Sequence, residues 1–493
     1  MLGLKELKDV VSIGIELSGQ KDRNRLWETM LKSAIDISEC DATTLYLYRD
    51  DNALHFKIMK TLSQGVSRGE NGEQIDLPPV PLKEENVCAY SAIHRELINI
   101  PDVYTSDRFD FSGPKKYDAM TGYRTGSMLV IPLVDSQDDL VGVLQLMNKV
   151  DEQGQFIAFT EDDEFAIRSL GSMAAVTVSN MKYLEDIRDQ MHSFVQAFAT
   201  AVDQRTPYNG SHTRMVTKYA GIVADEINIK NAEGLTDDYF DENRREQLTL
   251  AATLHDIGKM IIPLSVMNKA TRLDDGLATV QERFKLLQAL YEIDYLKGKY
   301  TEEEYKEIAD YLTDAIAFIN EKDGAGFMPD DALDKMRDIA SRAYIYEDGT
   351  ELKYLTDKEA DCLCIRKGTL TDEERRIMES HVVMTRRILE EVHFNKRYGN
   401  IIEFASTHHE MLNGSGYPDH LTADDLKLES RILAVVDIYD ALTCTDRPYK
   451  KPMPREKAIS ILYEMADKEG KLEHRLVDYL QDALDRADEA VAQ

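Results

Sequence analysis

The chain has 493 residues and a formal net charge of −31, from 90 acidic and 59 basic side chains. This length is typical of two or three domains, and 43% hydrophobic residues suffice for packed cores. So acidic a chain offers little positive charge for polymeric nucleic acid or a membrane surface, and we expect neither partner. A small anionic substrate remains compatible, because metal ions and a few basic residues can reverse the sign inside one pocket.

The cysteines also bear on the compartment. Cys40, Cys88, Cys362, Cys364 and Cys444 are odd in number and irregularly spaced, which is typical of free thiols in a reducing compartment. The CxC pair lacks the two further nearby ligands that a structural zinc site needs. No apolar run approaches the roughly 20 residues of a membrane helix. We therefore expect a cytoplasmic protein.

The N-terminal part predicts an α+β domain over residues 1–180, with an antiparallel sheet and flanking helices. Apolar side chains recur at helical spacing from residue 4 to about 40. Two strand–turn–strand patterns follow, the first in residues 43–59 and the second in residues 126–150. Helix, hairpins, a loop-rich middle and more strands form an α+β layout.

A long helical pattern begins at about residue 161 and contains no proline for some 40 residues. Helices of this length often pair as coiled coils. We predict a signalling helix over residues 165–206 and a homodimer formed through it. The alternative is two helices broken at Gly171.

Residues 206–493 predict an all-α domain with few strand patterns. Within it, residues 273–366 carry 23 acidic and 12 basic residues and no histidine, whereas both flanks contain histidines. We interpret this block as an inserted acidic helical segment.

The segment LAATLHDIGKMIIP contains adjacent His255 and Asp256. On a predicted helix their side chains diverge by about 100°, so both could reach a cation off the helix end and the carboxylate could bridge two cations. Lys259 shares the face of Asp256, and Gly258 leaves room for close approach. A single His-Asp pair is usually a surface or core feature, so the interpretation depends on the whole set.

Two further segments complete the set. His408 and His409 precede a glycine-rich loop in which Tyr417 can offer its ring and hydroxyl to a base. Asp437 and Asp440 lie three residues apart in an apolar helical stretch, where buried carboxylates need a cation or several donors. Helix capping is the alternative for both aspartates.

Imidazole and carboxylate ligands suit iron, manganese or zinc. Five histidines and two aspartates exceed one tetrahedral site and match two cations that share a bridging group, an arrangement suited to phosphodiester hydrolysis. The seven residues are His212, His255, Asp256, His381, His408, His409 and Asp437.

HDIGK at 255–259, HHE at 408–410, GSGYP at 414–418 and DIYDAL at 437–442 occur in the order that resembles the HD-GYP branch of the HD phosphohydrolases. The resemblance covers roughly residues 195–485, apart from the insertion. It implies an all-helical metal-dependent phosphodiesterase that hydrolyses cyclic di-GMP to linear pGpG and in some members to GMP.

The resemblance also implies residue roles. One metal would be held by His212, His255, Asp256 and Asp437, and the other by Asp256, His381, His408 and His409. Asp256 and Lys259 would be catalytic. Phosphate contacts would come from Lys259, Arg447 and Lys450, and Gly416, Tyr417 and Pro418 would border the substrate. Tyr208 replaces a glutamate that helps some members hold a third metal, so two divalent ions are expected, iron or manganese, with zinc as an alternative.

Three alternatives stay open. The substrate could be another cyclic dinucleotide, such as a cyclic GMP-AMP, because the same metals would serve. The domain could instead be a catalytically silent module that binds a partner through its GYP loop. The insertion separates NKATRL at 268–273 from KGTLTDEERRIMESH at 367–381, which the family normally joins, and could cover the site or add a dimer contact.

The N-terminal part resembles a GAF domain over about residues 10–180. The matching features are the hairpin near 43–60, GYRTGSMLVIPL at 122–133, and the NK…FxxxDE pattern of GAF domains in cyclic-nucleotide phosphodiesterases. That pattern consists of Asn148, Lys149, Phe159, Asp163 and Glu164. Lys149 can pair with Asp163 and tie the last strand to the exit helix. The pattern thus predicts either a structural clamp or a pocket for a cyclic nucleotide.

Overall fold

The computed structural model describes residues 4–69, 74–205, 211–444 and 452–492. It divides into two compact units, Met1–Gln190 and Met191–Gln493. Within the described ranges, no helix combines the length and the apolar character needed to cross a lipid bilayer.

The N-terminal unit is an α+β domain built on one antiparallel sheet, as predicted. Its strands are β1 (Cys40–Arg49), β2 (Ala53–Thr61), β3 (Val66–Gly69), β4 (Val80–Pro81), β5 (Ile98–Ile100), β6 (Met128–Val134), β7 (Leu140–Val150) and β8 (Phe156–Ile157). Its helices are α1 (Leu4–Gly19), α2 (Arg23–Ser38), α3 (Val87–His94), α4 (Ser112–Thr121) and the first part of α5 (Glu161–Asp203). The strand order is β3-β2-β1-β7-β6-β5, and β4 and β8 pair with β2 and β7.

Both faces of this sheet are covered, because alternate residues of a strand point to opposite sides. In β6, Leu129 and Ile131 pack into one apolar core with α1, α2 and α5. Met128 and Val130 pack into a second core on the opposite face, which α3 covers. The alternation therefore explains why β6 is apolar at almost every position.

The two predicted hairpins are confirmed as β1–β2 and β6–β7. The helical stretch before them is two helices rather than one. The Asp22 side chain accepts hydrogen bonds from the Asn24 and Arg25 amides at 2.8 and 2.9 Å and so caps the start of α2.

The long helix α5 runs unbroken for 43 residues, so the alternative of a break at Gly171 is wrong. A Cβ atom at Gly171 would lie 2.7 Å from Cδ2 of Leu133. The glycine therefore permits close packing of helix on sheet.

The C-terminal unit is mostly helical. Its helices after α5 are α6 (His212–Ala232), α7 (Glu242–Leu254), α8 (Leu264–Met267), α9 (Gly276–Leu296), α10 (Glu302–Asp323), α11 (Asp330–Ala340), α12 (Asp357–Leu363), α13 (Asp372–Glu390), α14 (Ile401–Ala405), α15 (Leu428–Thr443), α16 (Arg455–Asp467) and α17 (His474–Ala492). Short 3-10 helices span Ile257–Met260 and Lys396–Tyr398. One apolar core joins α6, α7, α14, α15, α16 and α17.

The acidic block folds around a core of its own, which includes Phe284, Leu312 and Met336 from α9, α10 and α11. A two-stranded hairpin, β9 (Ala343–Ile345) and β10 (Glu351–Lys353), corrects the expectation of a purely helical insertion. The hairpin forms where the chain reverses between α11 and α12.

The two ends of the acidic block lie together. The buried Arg272 guanidinium donates to the Ile365 carbonyl at 3.0 Å and to the Lys322 carbonyl at 2.8 Å. These bonds satisfy a charge that would be costly to bury alone. They also join Arg272, which immediately precedes the block, to Ile365 near the end of the block.

Candidate metal centre

The structure brings the seven predicted ligand side chains together from five segments of the C-terminal unit. His212 is the first residue of α6, and Asp256 follows His255 at the end of α7. His381 lies in α13 and Asp437 in α15, whereas His408 and His409 follow α14. All are buried except His409, which is partly buried.

His255 and Asp256 lie at the junction between two helices, which corrects the expectation of a pair within one helix. Helix α7 ends at Leu254, and the 3-10 helix begins at Ile257. The expected divergence of 100° therefore does not apply. The tighter junction places the His255 Nε2 atom 3.2 Å from Oδ2 of Asp256.

The Asp256 carboxylate faces two groups of imidazoles, one with each oxygen. Its Oδ2 lies 3.3 Å from Nε2 of His212 and 3.2 Å from Nε2 of His255. Its Oδ1 lies 3.4 Å from Nε2 of His381. This geometry is what a carboxylate needs to bridge two cations.

Asp437 also reaches both sides of the cluster. Its Oδ1 lies 3.3 Å from Nε2 of His212, and its Oδ2 lies 3.6 Å from Nδ1 of His409. Three overlapping sets have ligand atoms within 4.8 Å of one another: His212, His255 and Asp437; His255, Asp256 and His408; and His381, His408 and His409.

Backbone carbonyls orient three of the imidazoles. Nδ1 of His255, His381 and His408 lies 2.7, 2.6 and 2.7 Å from the carbonyl oxygen three residues earlier. A carbonyl only accepts, so each Nδ1 carries the proton and each Nε2 offers a lone pair to the cluster. Burial lowers the pKa of His381 to about 3 and that of His408 well below its usual value, so both rings are neutral.

The carboxylates of the cluster remain charged. Burial opposes their ionisation, but the nearby His255 and Lys259 keep the pKa of Asp256 well below its usual value. A hydrogen bond from His212 does the same for the pKa of Asp437. Anionic oxygens and neutral imidazoles are the forms that bind divalent metals.

Among the described residues, three buried atoms of the cluster have no hydrogen-bond partner: Oδ1 of Asp256, Nε2 of His381 and Nε2 of His408. Buried polar atoms normally find a partner, because an unpaired one loses the free energy of its interaction with water. All three can donate a lone pair to a cation, and they converge on the same space. The donor set therefore fits a divalent metal, with nitrogen and oxygen ligands suited to iron, manganese or zinc.

Lys259 and Gly258 take part in the cluster as the sequence predicts. The Lys259 ammonium lies 2.5 Å from Oδ2 of Asp256. A Cβ atom at Gly258 would lie 1.9 Å from the His381 carbonyl oxygen. The Gly258 amide donates to Oγ1 of Thr385 at 3.0 Å, and that hydroxyl donates to the His255 carbonyl at 2.9 Å. The 3-10 helix is thereby fixed against α13.

The glycine-rich loop after His409 lies against the cluster. The Tyr417 ring centroid is 4.9 Å from that of His409, and Pro418 follows it. A Cβ atom at Gly416 would lie 2.4 Å from the Glu410 Cα, so the loop packs directly on the backbone of the His-His-Glu segment. Glycine is required there for the close approach.

Two buried carboxylates have roles that the sequence did not reveal. Glu410 accepts hydrogen bonds from the Asp419 and Leu421 amides at 2.7 and 3.0 Å and so holds the loop. Asp440 lies 2.7 Å from Nδ1 of His212. The capping alternative is wrong for Asp437 and Asp440, because both lie inside α15, after its N-cap Lys427. Sequence distance hid the role of Asp440, since no local pattern links it to His212.

Three predicted positions, Tyr208, Arg447 and Lys450, lie outside the described residues. All five cysteines are free thiols. Cys362 and Cys364 belong to none of the metal-type clusters found among the described residues.

In the N-terminal unit, the Lys149 ammonium contacts both oxygens of Asp163 at 2.6 and 2.7 Å, so the predicted pair is present. Asn148 accepts from the Gly126 amide at 2.6 Å and donates to the Arg124 carbonyl at 2.7 Å. Phe159 is buried in the core, and Oε1 of Glu164 accepts from the Asn99 amide at 2.8 Å. The Lys149–Asp163 pair connects β7 to α5, and the Asn99–Glu164 bond connects β5 to α5.

Two sequence models described as HD domain match the chain, over residues 209–319 and 358–472. The C-terminal unit contains an HD domain. The first match includes His212, His255 and Asp256, and the second includes the four other candidate ligands. Residues 320–357 of the acidic block lie in neither match.

Curated relatives align over short stretches. A 3'3'-cGAMP-specific phosphodiesterase 3 of Vibrio cholerae is 35% identical over 99 residues, 20% of this chain and 21% of that protein. A probable cyclic di-GMP phosphodiesterase of the same organism is 38% identical over 111 residues, 21% of this chain and 24% of that protein. The chain thus spans less than a third of the length of these relatives.

Among solved structures, the GAF domain from an Acinetobacter phosphoenolpyruvate-protein phosphotransferase is 17% identical, with a TM-score of 0.29. The match covers 38% of this chain and 99% of that one.

Proposed function

We propose that this chain is a metal-dependent phosphodiesterase of the HD-GYP type that hydrolyses cyclic di-GMP to linear pGpG. The observation that carries the proposal is the Asp256 carboxylate, whose two oxygens face two groups of imidazoles. The HD domain and the activities for which the relatives are named support the same reaction class.

The seven side chains would hold two divalent cations, iron or manganese. One set consists of His212, His255, Asp256 and Asp437, and the other of Asp256, His381, His408 and His409. When bound, such a pair supplies charge for phosphate oxygens and lowers the pKa of water toward neutrality. His255, His381 and His408 present unprotonated Nε2 atoms beside ionised carboxylates in this buried space.

The remaining residues would bind the dinucleotide. Lys259 is partly exposed beside Asp256, so its ammonium can donate a hydrogen bond to a phosphate oxygen. Tyr417 adjoins the cluster and offers a ring to a guanine base. Glu410 keeps the loop that carries Tyr417 in place.

A cyclic GMP-AMP is the second candidate substrate, because one relative is named as specific for 3'3'-cGAMP. Its phosphodiester core is the same, so the cluster would serve equally. A silent binding module is less well supported, since the unpaired buried acceptors of the cluster need a cation.

The N-terminal unit would act as a GAF sensor, with α5 as the signalling helix. The hydrogen bonds of Asn148 to backbone groups favour the structural clamp over direct contact of this motif with a cyclic nucleotide. Four exposed apolar residues recur on α5 at intervals typical of a coiled-coil seam: Leu184, Ile187, Phe194 and Phe198. They support a homodimer formed through this helix.

The decisive experiment measures hydrolysis by the full chain under anaerobic conditions. Purified protein loaded with Fe(II) or Mn(II) would be incubated with cyclic di-GMP, 3'3'-cGAMP or cyclic di-AMP, and products separated by chromatography. We expect pGpG from cyclic di-GMP. The Asp256→Asn variant should lose activity and metal, while the exposed Asp237→Asn control should retain both. Metal-loaded protein that cleaves none of the three substrates would refute the proposal.

A further inference from the structure

His212 differs from the other oriented histidines in what its Nδ1 contacts. His255, His381 and His408 each donate to a carbonyl three residues earlier, supplied by the helix that precedes or contains them. His212 is the first residue of α6 and has no preceding turn of that helix. Its Nδ1 instead lies 2.7 Å from Oδ2 of Asp440, on α15.

This contact is buried. His212 is 5% exposed and Asp440 is 2% exposed. A carboxylate accepts a stronger hydrogen bond from an imidazole than a neutral carbonyl does, and it makes the opposite ring nitrogen a better electron donor. The Nε2 of His212 points to Asp256 and Asp437, at 3.3 Å from each.

Negative charge is therefore distributed unevenly among the histidines of the cluster. At Nδ1, His212 faces the Asp440 carboxylate, whereas the Nδ1 atoms of the other oriented rings face backbone carbonyls. A cation bound by His212 would therefore interact with the additional charge of Asp440 through the imidazole. Among the described residues, no side-chain carboxylate takes this position behind His381 or His408.

We infer that Asp440 is a positioning residue for one of the two cations, acting through the tautomer, orientation and basicity of His212. The inference rests on the proposed function only in requiring that two cations bind. It predicts that a substitution at Asp440, which contacts neither ion, weakens the binding of one ion and leaves the affinity for the other unchanged.

Asp440→Asn is the informative variant, because asparagine keeps the shape and an accepting oxygen but loses the charge. Mn(II) binding to the full chain would be followed by calorimetry and by metal counts after desalting. Wild-type protein should bind two ions. The variant should keep one ion at unchanged affinity and bind the other about 10–100-fold more weakly.

Glu429→Gln is the matched control. Glu429 is also a buried carboxylate of α15, but it pairs with Arg244 rather than with the cluster. Its removal should leave both ions bound. A merely structural role for Asp440 would lower the melting temperature of the metal-free protein and leave Mn(II) affinity unchanged, which would overturn the inference.

A double-mutant cycle with His212→Gln provides the second test. His212→Gln alone should weaken binding of the same ion, and adding Asp440→Asn to it should cost little further affinity, because Asp440 acts through His212. Additive losses would overturn the inference. Two bound ions with the expected variant effect but no hydrolysis of any cyclic dinucleotide would refute the proposed function and leave this inference standing.

Discussion

The backbone at Gly258 touches the backbone of His381: a Cβ atom on the glycine would lie 1.9 Å from the His381 carbonyl oxygen. The contact fixes the 3-10 helix after Asp256 against the helix that carries a ligand for the other side of the cluster. The spacing between the two halves of the candidate centre therefore depends on residue 258 being a glycine, which has no side chain.

Gly258→Ala should consequently destabilise the C-terminal unit and impair metal binding. Overpacking of this kind costs about 1–3 kcal/mol, since the neighbour is backbone and cannot rotate away. Thermal unfolding and metal content would be measured together. Gly326→Ala is the control, because its added Cβ would meet nothing within 4 Å. Equal behaviour of the two variants would contradict the predicted steric role.

Lys259→Ala should leave the bound metal in place while slowing turnover or weakening substrate binding. Its ammonium is a donor to Asp256 and cannot ligate a cation. The expected pattern is a normal metal count with reduced kcat/KM, compared with the exposed control Lys218→Ala. Loss of metal in the variant would show that the pair with Asp256 serves folding instead.

Lys149→Met should destabilise the N-terminal unit by about 3–5 kcal/mol, because it leaves the buried Asp163 carboxylate without its cation. Hydrogen exchange of β7 and of the start of α5 in the full chain would report the loss. The double variant Lys149→Met/Asp163→Leu should recover much of it. Lys353→Met, which breaks an exposed pair with Asp357, should have little effect.

Cys40 and Cys88 should resist alkylation in the native protein. Burial raises the pKa of the Cys40 thiol to about 11 and that of the Cys88 thiol to about 12. At pH 8 both are therefore overwhelmingly protonated, and the reactive thiolate appears only as the pH rises toward those values. Mass spectrometry after iodoacetamide treatment should show the partly exposed Cys364 and Cys444 labelled before Cys40 and Cys88. Early labelling of Cys40 would contradict the buried assignment.

Replacing residues 274–366 with a short Gly-Ser linker should leave a folded C-terminal unit, because the block has a separate core and its two ends lie close together, as the bond from Arg272 to Ile365 shows. If the block covers the entrance, its net charge of −11 repels an anionic dinucleotide. Removal should then raise substrate affinity at low salt, and the difference should shrink as the Debye length falls below about 8 Å. Equal affinity at every ionic strength would exclude a gating role.

The sequence by itself determined the α+β and helical halves and the identities of the clustered side chains. The strand–turn–strand patterns of β1–β2 and β6–β7 and the proline-free pattern of α5 depend on local sequence, which a linear reading detects. The His and Asp residues were recognisable because their neighbours form ordered motifs, although the motifs themselves imply nothing about distances.

Only the tertiary structure decided how those residues act on one another. His212 and Asp440 are 228 positions apart, and Gly258 meets His381 across 123 positions, so no local pattern could link them. The junction at His255 likewise departed from a simple helix because packing against α13 overrides local helical preference. Orientation, proton placement and bridging arise from long-range contacts, and these are fixed only when the helices pack around a common core.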